Sequence, residues 1–160
     1  MAVAEIIGAA IGIMLLVIVA YMLVGSVLTT ADVVTTAQKD LTLQTEARLR
    51  TSISFTDGEA EITGSGINFS VKNTGNEVIS DFTNMDIYTW DGAKSGYDYY
   101  TYNKDLPGSP GNWSILRFDN DIIHPNQLDP GEKMWVWVTF TGGTPIWFQV
   151  TTGNGVNAQT

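Results

Sequence analysis

The chain has 160 residues, no cysteine, and 17 acidic against 8 basic side chains, a formal charge of -9 at pH 7. That length holds one domain of ordinary size with an appendage, and the missing cysteines exclude disulfides and thiolate metal sites. The negative balance repels phosphate backbones, so nucleic acid is not an expected partner.

The first element is apolar. Residues 6–31 contain no Asp, Glu, Lys, Arg or His, and at 1.5 Å per residue they predict a helix of roughly 39 Å, longer than about 30 Å of hydrocarbon. A membrane is therefore an expected partner of this helix. No Lys or Arg precedes Lys39, so the basic start of a cleaved secretory signal is missing, and the run reads as an uncleaved anchor or the start of a processed chain. Glu5 stands directly before it. A carboxylate is favoured there by the helix dipole, by roughly 0.3–1 kcal/mol. Its functional reading is a pairing with the α-amino group of Met1, or with that of a neighbouring copy. Gly8 and Gly12 form a G-x-x-x-G step beside Ala4, Ala9 and Ala10, and small residues let helix backbones approach closely. Glu5, Gly8 and Gly12 are thus the candidate helix-packing residues.

No proline occurs before Pro107. Beyond residue 31 the helix continues as a polar extension, with Val34, Ala37, Leu41, Thr45 and Leu49 making one narrow apolar stripe. The helical part is expected over residues 1–51, hydrophobic at 6–31 and polar at 32–51.

Around "RTSISF" the period changes from helical to alternating. In "INFSVKN", Ile67, Phe69 and Val71 share a face; in "KMWVWVTF", Met134, Val136, Val138 and Phe140 share one face and Trp135, Trp137 and Thr139 the other; in "PIWFQV", Ile146, Phe148 and Val150 align. Turn phrases such as "NTGN", "WDGA", "LDPGE" and "TGGTP" separate these runs. The fold class expected is α+β: a long N-terminal hydrophobic helix, then an antiparallel β-sandwich over residues 52–160.

Residues 95–114, "SGYDYYTYNKDLPGSPGNWS", read as a long exposed loop or hairpin tip. Tyr97, Tyr99, Tyr100, Tyr102 and Trp113 are its candidate contact residues, because aromatic side chains offer amphipathic area at low entropy cost; the competing reading has them cap the core. "NFS" at Asn68 and "NWS" at Asn112 match the N-glycosylation pattern. Asn112, placed in the loop, is the better acceptor of the two.

No catalytic site is expected. His124 is the sole histidine, and no nucleophile motif or phosphate-binding glycine loop accompanies it. No cofactor or metal site is assigned, although "DNDIIHPNQLDPGE" supplies Asp119, Asn120, Asp121, Asn126, Asp129 and Glu132, oxygen ligands of the type calcium takes, outside the EF-hand pattern. The alternative for that segment is a turn before a Trp-rich strand.

The helix "VAEIIGAAIGIMLLVIVAYML", the junction "EARLRTSISF", the strand-turn "FSVKNTGNEVI" and the phrases "LDPGEKMWVWV" and "VTTGNGV" together resemble the archaeal type IV pilin-like proteins, which include archaellins and archaellum stator proteins. The resemblance implies a non-enzymatic component of an archaeal surface machine. It would be either a stator-type protein anchored by its helix and reaching a cell-envelope layer, which the junction favours slightly, or a filament subunit that self-associates through its helices. It also implies archaellum or pilus subunits as partners and a location at the cell surface. A third reading is a membrane-anchored module that binds a ligand through the tyrosine-rich stretch.

Overall fold

A computed structural model describes residues 2–56, 60–64, 66–92, 96–104, 109–140 and 143–159. One helix, α1 (Ala2–Arg50), runs unbroken for 49 residues, about 73 Å at the usual rise. No proline interrupts it, Glu5 lies in its first turn, and Arg48 and Arg50 lie in its last turn, each charge matching the dipole end beside it. The hydroxyls of Thr29, Thr30, Thr35 and Thr42 donate to carbonyls four residues back. Their polar atoms are therefore satisfied within the helix and impose no need for water. The chain divides into two compact units, Met1–Leu43 and Gln44–Thr160, so the last turns of α1 belong with the strands.

The second unit contains β1 (Ile53–Phe55), β2 (Glu61–Thr63), β3 (Gly66–Asn73), β4 (Asp86–Trp90), β5 (Asp98–Tyr102), β6 (Asn112–Asp119), β7 (Lys133–Thr139), β8 (Trp147–Thr151) and β9 (Asn157–Gln159). Their order is β1-β3-β7-β6-β5-β4-β8-β9, with β2 sharing the β3 edge that β1 occupies. β9 comes to lie near β1, so the two-layered sandwich is almost closed.

Alternation places the core. Ile67, Phe69 and Val71 of β3 and Met134, Val136 and Val138 of β7 are buried, and so are Ile87 of β4 and Phe148 and Val150 of β8. Phe69 and Phe148 stack at 5.1 Å between ring centres, and Phe55 meets both edge-on. Ile146 departs from the expected alignment: it precedes β8 and its side chain is exposed, although its amide still donates to the Trp90 carbonyl at 2.8 Å.

The larger correction concerns residues 95–114. This stretch is not one exposed loop, since it contains β5 and the first residues of β6, paired parallel through Thr101↔Asn112 and Tyr102↔Trp113. That pair is the one parallel ladder among the described strands. Residues 95 and 105–108 of the expected loop lie outside the described residues.

Candidate functional site

α1 ends where other parts of the chain take its carbonyls. The Thr51 amide and hydroxyl both donate to the Ala47 carbonyl, at 3.0 and 2.8 Å, while the Arg50 carbonyl accepts from the Asn76 amide at 2.8 Å. The Ser52 carbonyl accepts from the amides of Thr74 and Gly75 at 2.8 and 3.0 Å. A Cβ on Gly75 would lie 2.4 Å from the Arg50 carbonyl oxygen and 2.5 Å from the Ser52 nitrogen. Only glycine fits that approach.

Asn73 organises this junction. Fully buried, it donates through Nδ2 to the carbonyls of Glu77 (2.7 Å) and Leu128 (2.9 Å) and accepts from the Gly75 amide at 3.0 Å. Its own amide donates to the Glu132 carbonyl and its carbonyl accepts from the Gly131 amide. From the last turn of the domain, Asn154 Nδ2 donates to Thr51 Oγ1 at 2.7 Å. Arg50 adds ion pairs of 3.5 Å to Glu46 and 3.6 Å to Glu77; exposure makes each a weak contributor. A cleft of about 290 Å³ beside this cluster is lined in part by Ala47, Thr51, Ile79, Asp81, Thr152 and Asn154. Asn73 and Gly75 stand in the turn phrase "NTGN", and Asn154 stands in "VTTGNGV". The signal for them was already present: "NTGN", "LDPGE" and "TTGNG" recur in the phrases that carry the family resemblance, and all three meet here.

Glu5, Gly8 and Gly12 lie together on the first turns of α1, all exposed. A Cβ at Gly8, Gly12 or Gly25 would meet nothing within 4 Å, so packing within the chain does not demand glycine at these positions. The large apolar side chains of residues 6–31 are likewise at least half exposed on every side of the helix, which by length and composition is long enough to cross a membrane.

The five aromatic candidates separate. Tyr97 and Tyr99 are exposed, 67% and 50%. Tyr100 and Trp113 are buried in the core, where the Trp113 indole donates to the Met85 carbonyl at 3.3 Å, and Tyr102 packs partly buried on Trp113 at 4.7 Å. These three are core residues of the folded domain, placed inward by alternation along β5 and β6. The Tyr99 hydroxyl donates to Asp86 Oδ1 at 2.9 Å, and this bond to a carboxylate raises the phenol pKa above its ordinary value.

The acceptor candidates are also strand residues. Asn112 opens β6 half-buried, accepting from Thr101 Oγ1 at 3.0 Å, and so is not in a loop as expected. Asn68 lies within β3 with its Oδ1 buried.

The acidic segment forms turns. The Asp119 carboxylate accepts from the Trp135 indole (2.9 Å) and pairs with Arg117 (3.6 Å), and Asp121 accepts the Asn126 amide on both oxygens. Asp129 accepts from the His124 amide (3.0 Å) and contacts His124 Nδ1 (2.7 Å), while Glu132 accepts from the Asp129 amide (3.1 Å). Each carboxylate thus has its own donor. Among the described residues no group of three or more His, Cys, Asp or Glu side chains converges. His124 braces the turn.

A family model for archaeal-type flagellin matches residues 4–160. The structure of the archaellum periplasmic stator protein FlaG from Sulfolobus acidocaldarius is similar at 19% identity and a TM-score of 0.50, covering 69% of this chain and 97% of that one; the likeness shows a shared fold. The FlaF and FlaG stator complex from the same organism gives 18% identity and a TM-score of 0.47, covering 68% and 85%. No curated protein matches. Because the flagellin model spans the apolar helix, the junction and the sandwich together, this chain belongs to the archaeal-type flagellin family and is a structural, non-enzymatic, archaellum-related protein.

Proposed function

We propose that the chain is a stator-type component of the archaellum, anchored in the membrane by residues 6–31, with the sandwich outside the cytoplasm against a cell-envelope layer. The observation that carries this reading is the polarity step at Asp32. The charge-free stretch ends there, and Lys39, Asp40, Glu46, Arg48 and Arg50 follow on the same helix. A carboxylate at mid-bilayer costs about 2.5–3.5 kcal/mol, so the hydrocarbon boundary belongs at this step. The junction at Asn73 holds the last turn of the helix to the strands within the second unit.

The second reading is a filament subunit. It is supported by Val33, Val34, Leu41 and Leu43, exposed beyond the step, and by the open faces of Gly8 and Gly12, all of which a bundle of identical helices would cover. Alkaline extraction of membranes combined with the mass of the native N-terminus distinguishes the two. Retention in the membrane pellet with Met1 present is expected. Recovery in sheared filaments with a processed, free or methylated α-amino terminus overturns the stator reading.

A further inference from the structure

The outer face of β4, β5, β8 and β9 is laid out in rows that the strand register fixes. Trp90 stands opposite Trp147, and the Tyr97 ring meets Trp147 at 5.3 Å, tilted by 55°. The next row crosses the sheet as Tyr99, Tyr88, Gln149 and Gln159, and the one after it as Asp86, Thr151 and Asn157. Aromatic rings thus give way to amides, and amides to hydroxyl and carboxylate groups, over rows roughly 7 Å apart. A groove of about 400 Å³ runs among Tyr88, Tyr97, Trp147, Gln149 and Gln159. Its polar members are held in place. Gln149 Nε2 donates to Thr151 Oγ1 at 3.0 Å, and the Tyr99 hydroxyl donates to Asp86 Oδ1 at 2.9 Å. Each bond uses only part of the capacity of the amide or the carboxylate, and groups already fixed lose little entropy on binding.

We propose that this groove binds an uncharged glycan. A sugar ring has an apolar face of C–H groups, which a Tyr or Trp ring can cover, and a rim of hydroxyls that both donate and accept. Side-chain amides answer such hydroxyls with a donor and an acceptor together. A ring stacked on Trp147 or Tyr97 therefore brings its rim over Gln149 and Gln159. Composition separates this ligand from others. The outward positions of the four strands carry no aliphatic side chain and no Lys or Arg; Ile146, before β8, is exposed beside Gly92, outside these rows. Protein interfaces draw on Met and Arg beside their aromatics, and an anionic lipid surface requires basic residues. Asp86 is the charged side chain within the rows, and Asp91 after β4 and Asp98 at the start of β5 add further negative charge, while Lys94 lies outside the described residues. These carboxylates repel uronic, sialic or sulfated sugars, which leaves neutral ones. The face serves an anchored protein or a filament subunit alike, so its test stands apart from the choice made above.

The full-length chain, held in a detergent without a sugar headgroup, is titrated calorimetrically with short neutral oligosaccharides of glucose, mannose and galactose, with oligogalacturonate, and with a polyproline peptide, which also suits aromatic grooves. At least one neutral oligosaccharide is expected to bind, roughly tenfold more tightly than oligogalacturonate. Trp147→Ala and Gln159→Ala are each expected to weaken it, Trp147→Ala by roughly tenfold, whereas Trp135→Ala on the other layer leaves it unchanged. Circular dichroism confirms the fold of each variant, and Gln159 is exposed, so its replacement leaves the core untouched. Binding of no neutral oligosaccharide, equal binding of oligogalacturonate, tighter binding of polyproline than of every sugar, or equal losses in Trp135→Ala and Trp147→Ala overturns the proposal.

Discussion

The side-chain amide of Asn73 donates to the Leu128 carbonyl across 2.9 Å, joining the turn after β3 to the turn before β7. Its second proton and its oxygen are also bonded, to the Glu77 carbonyl and the Gly75 amide. Asn73→Ala strands these buried groups and is expected to destabilise the domain by roughly 2–4 kcal/mol in urea unfolding. Asn73→Asp is expected to be no better, because a carboxylate cannot donate to two carbonyls.

Gly75 sits against backbone that cannot yield. Its Cβ would collide with the Arg50 carbonyl oxygen and the Ser52 nitrogen, so Gly75→Ala must push the turn off the helix end, at about 1–3 kcal/mol. Limited proteolysis is expected to cut near residues 50–52 in this variant and to spare the parent chain under the same conditions.

Gly66 gives the milder contrast. A Cβ there would lie 2.0 Å from the Trp137 ring, but an indole on the outer face can swing away. Gly66→Ala is expected to displace Trp137, break its 3.0 Å indole bond to Thr139 and cost about 1–2 kcal/mol. Faster quenching of tryptophan fluorescence by iodide, with the strands retained in circular dichroism, checks this.

The Tyr99–Asp86 bond predicts a pH response. The bond needs the protonated phenol, and the folded pKa is raised above the ordinary 10.0, first by this hydrogen bond. The contribution is complete below the unfolded pKa and disappears as pH rises through the folded one. Ultraviolet titration is expected to show Tyr99 ionising late in the parent chain, and Asp86→Asn is expected to bring it back toward the ordinary value.

Gly8 and Gly12 carry the prediction for the first helix. Replacing both with Leu meets no obstacle within the chain, so the sandwich is expected to unfold as in the parent and the helix to partition into membranes as before. Association between copies in detergent is expected to weaken, by roughly tenfold if close helix packing operates there. Unchanged association by sedimentation equilibrium would remove the G-x-x-x-G step from assembly.

The sequence alone determined the helix and most strand faces. A run without proline or charge has no lower-energy choice than helix, and the alternation in "INFSVKN" and "KMWVWV" assigns Phe69 and Val136 inward through geometry that depends only on near neighbours. Tertiary structure decided the rest. The phrase "DYYTY" sets Tyr99 and Tyr100 side by side among turn residues, so its period does not mark a strand, yet its parallel pairing with β6 buries Tyr100 and Trp113. The meeting of "NTGN", "LDPGE" and "TTGNG" at Thr51 and Asn73 is likewise invisible along the chain, because each turn looks self-sufficient in isolation. Local period is set by covalent geometry within a few residues, whereas which strand lies beside which, and which turn receives a given amide, is set by closing the sandwich around one apolar core.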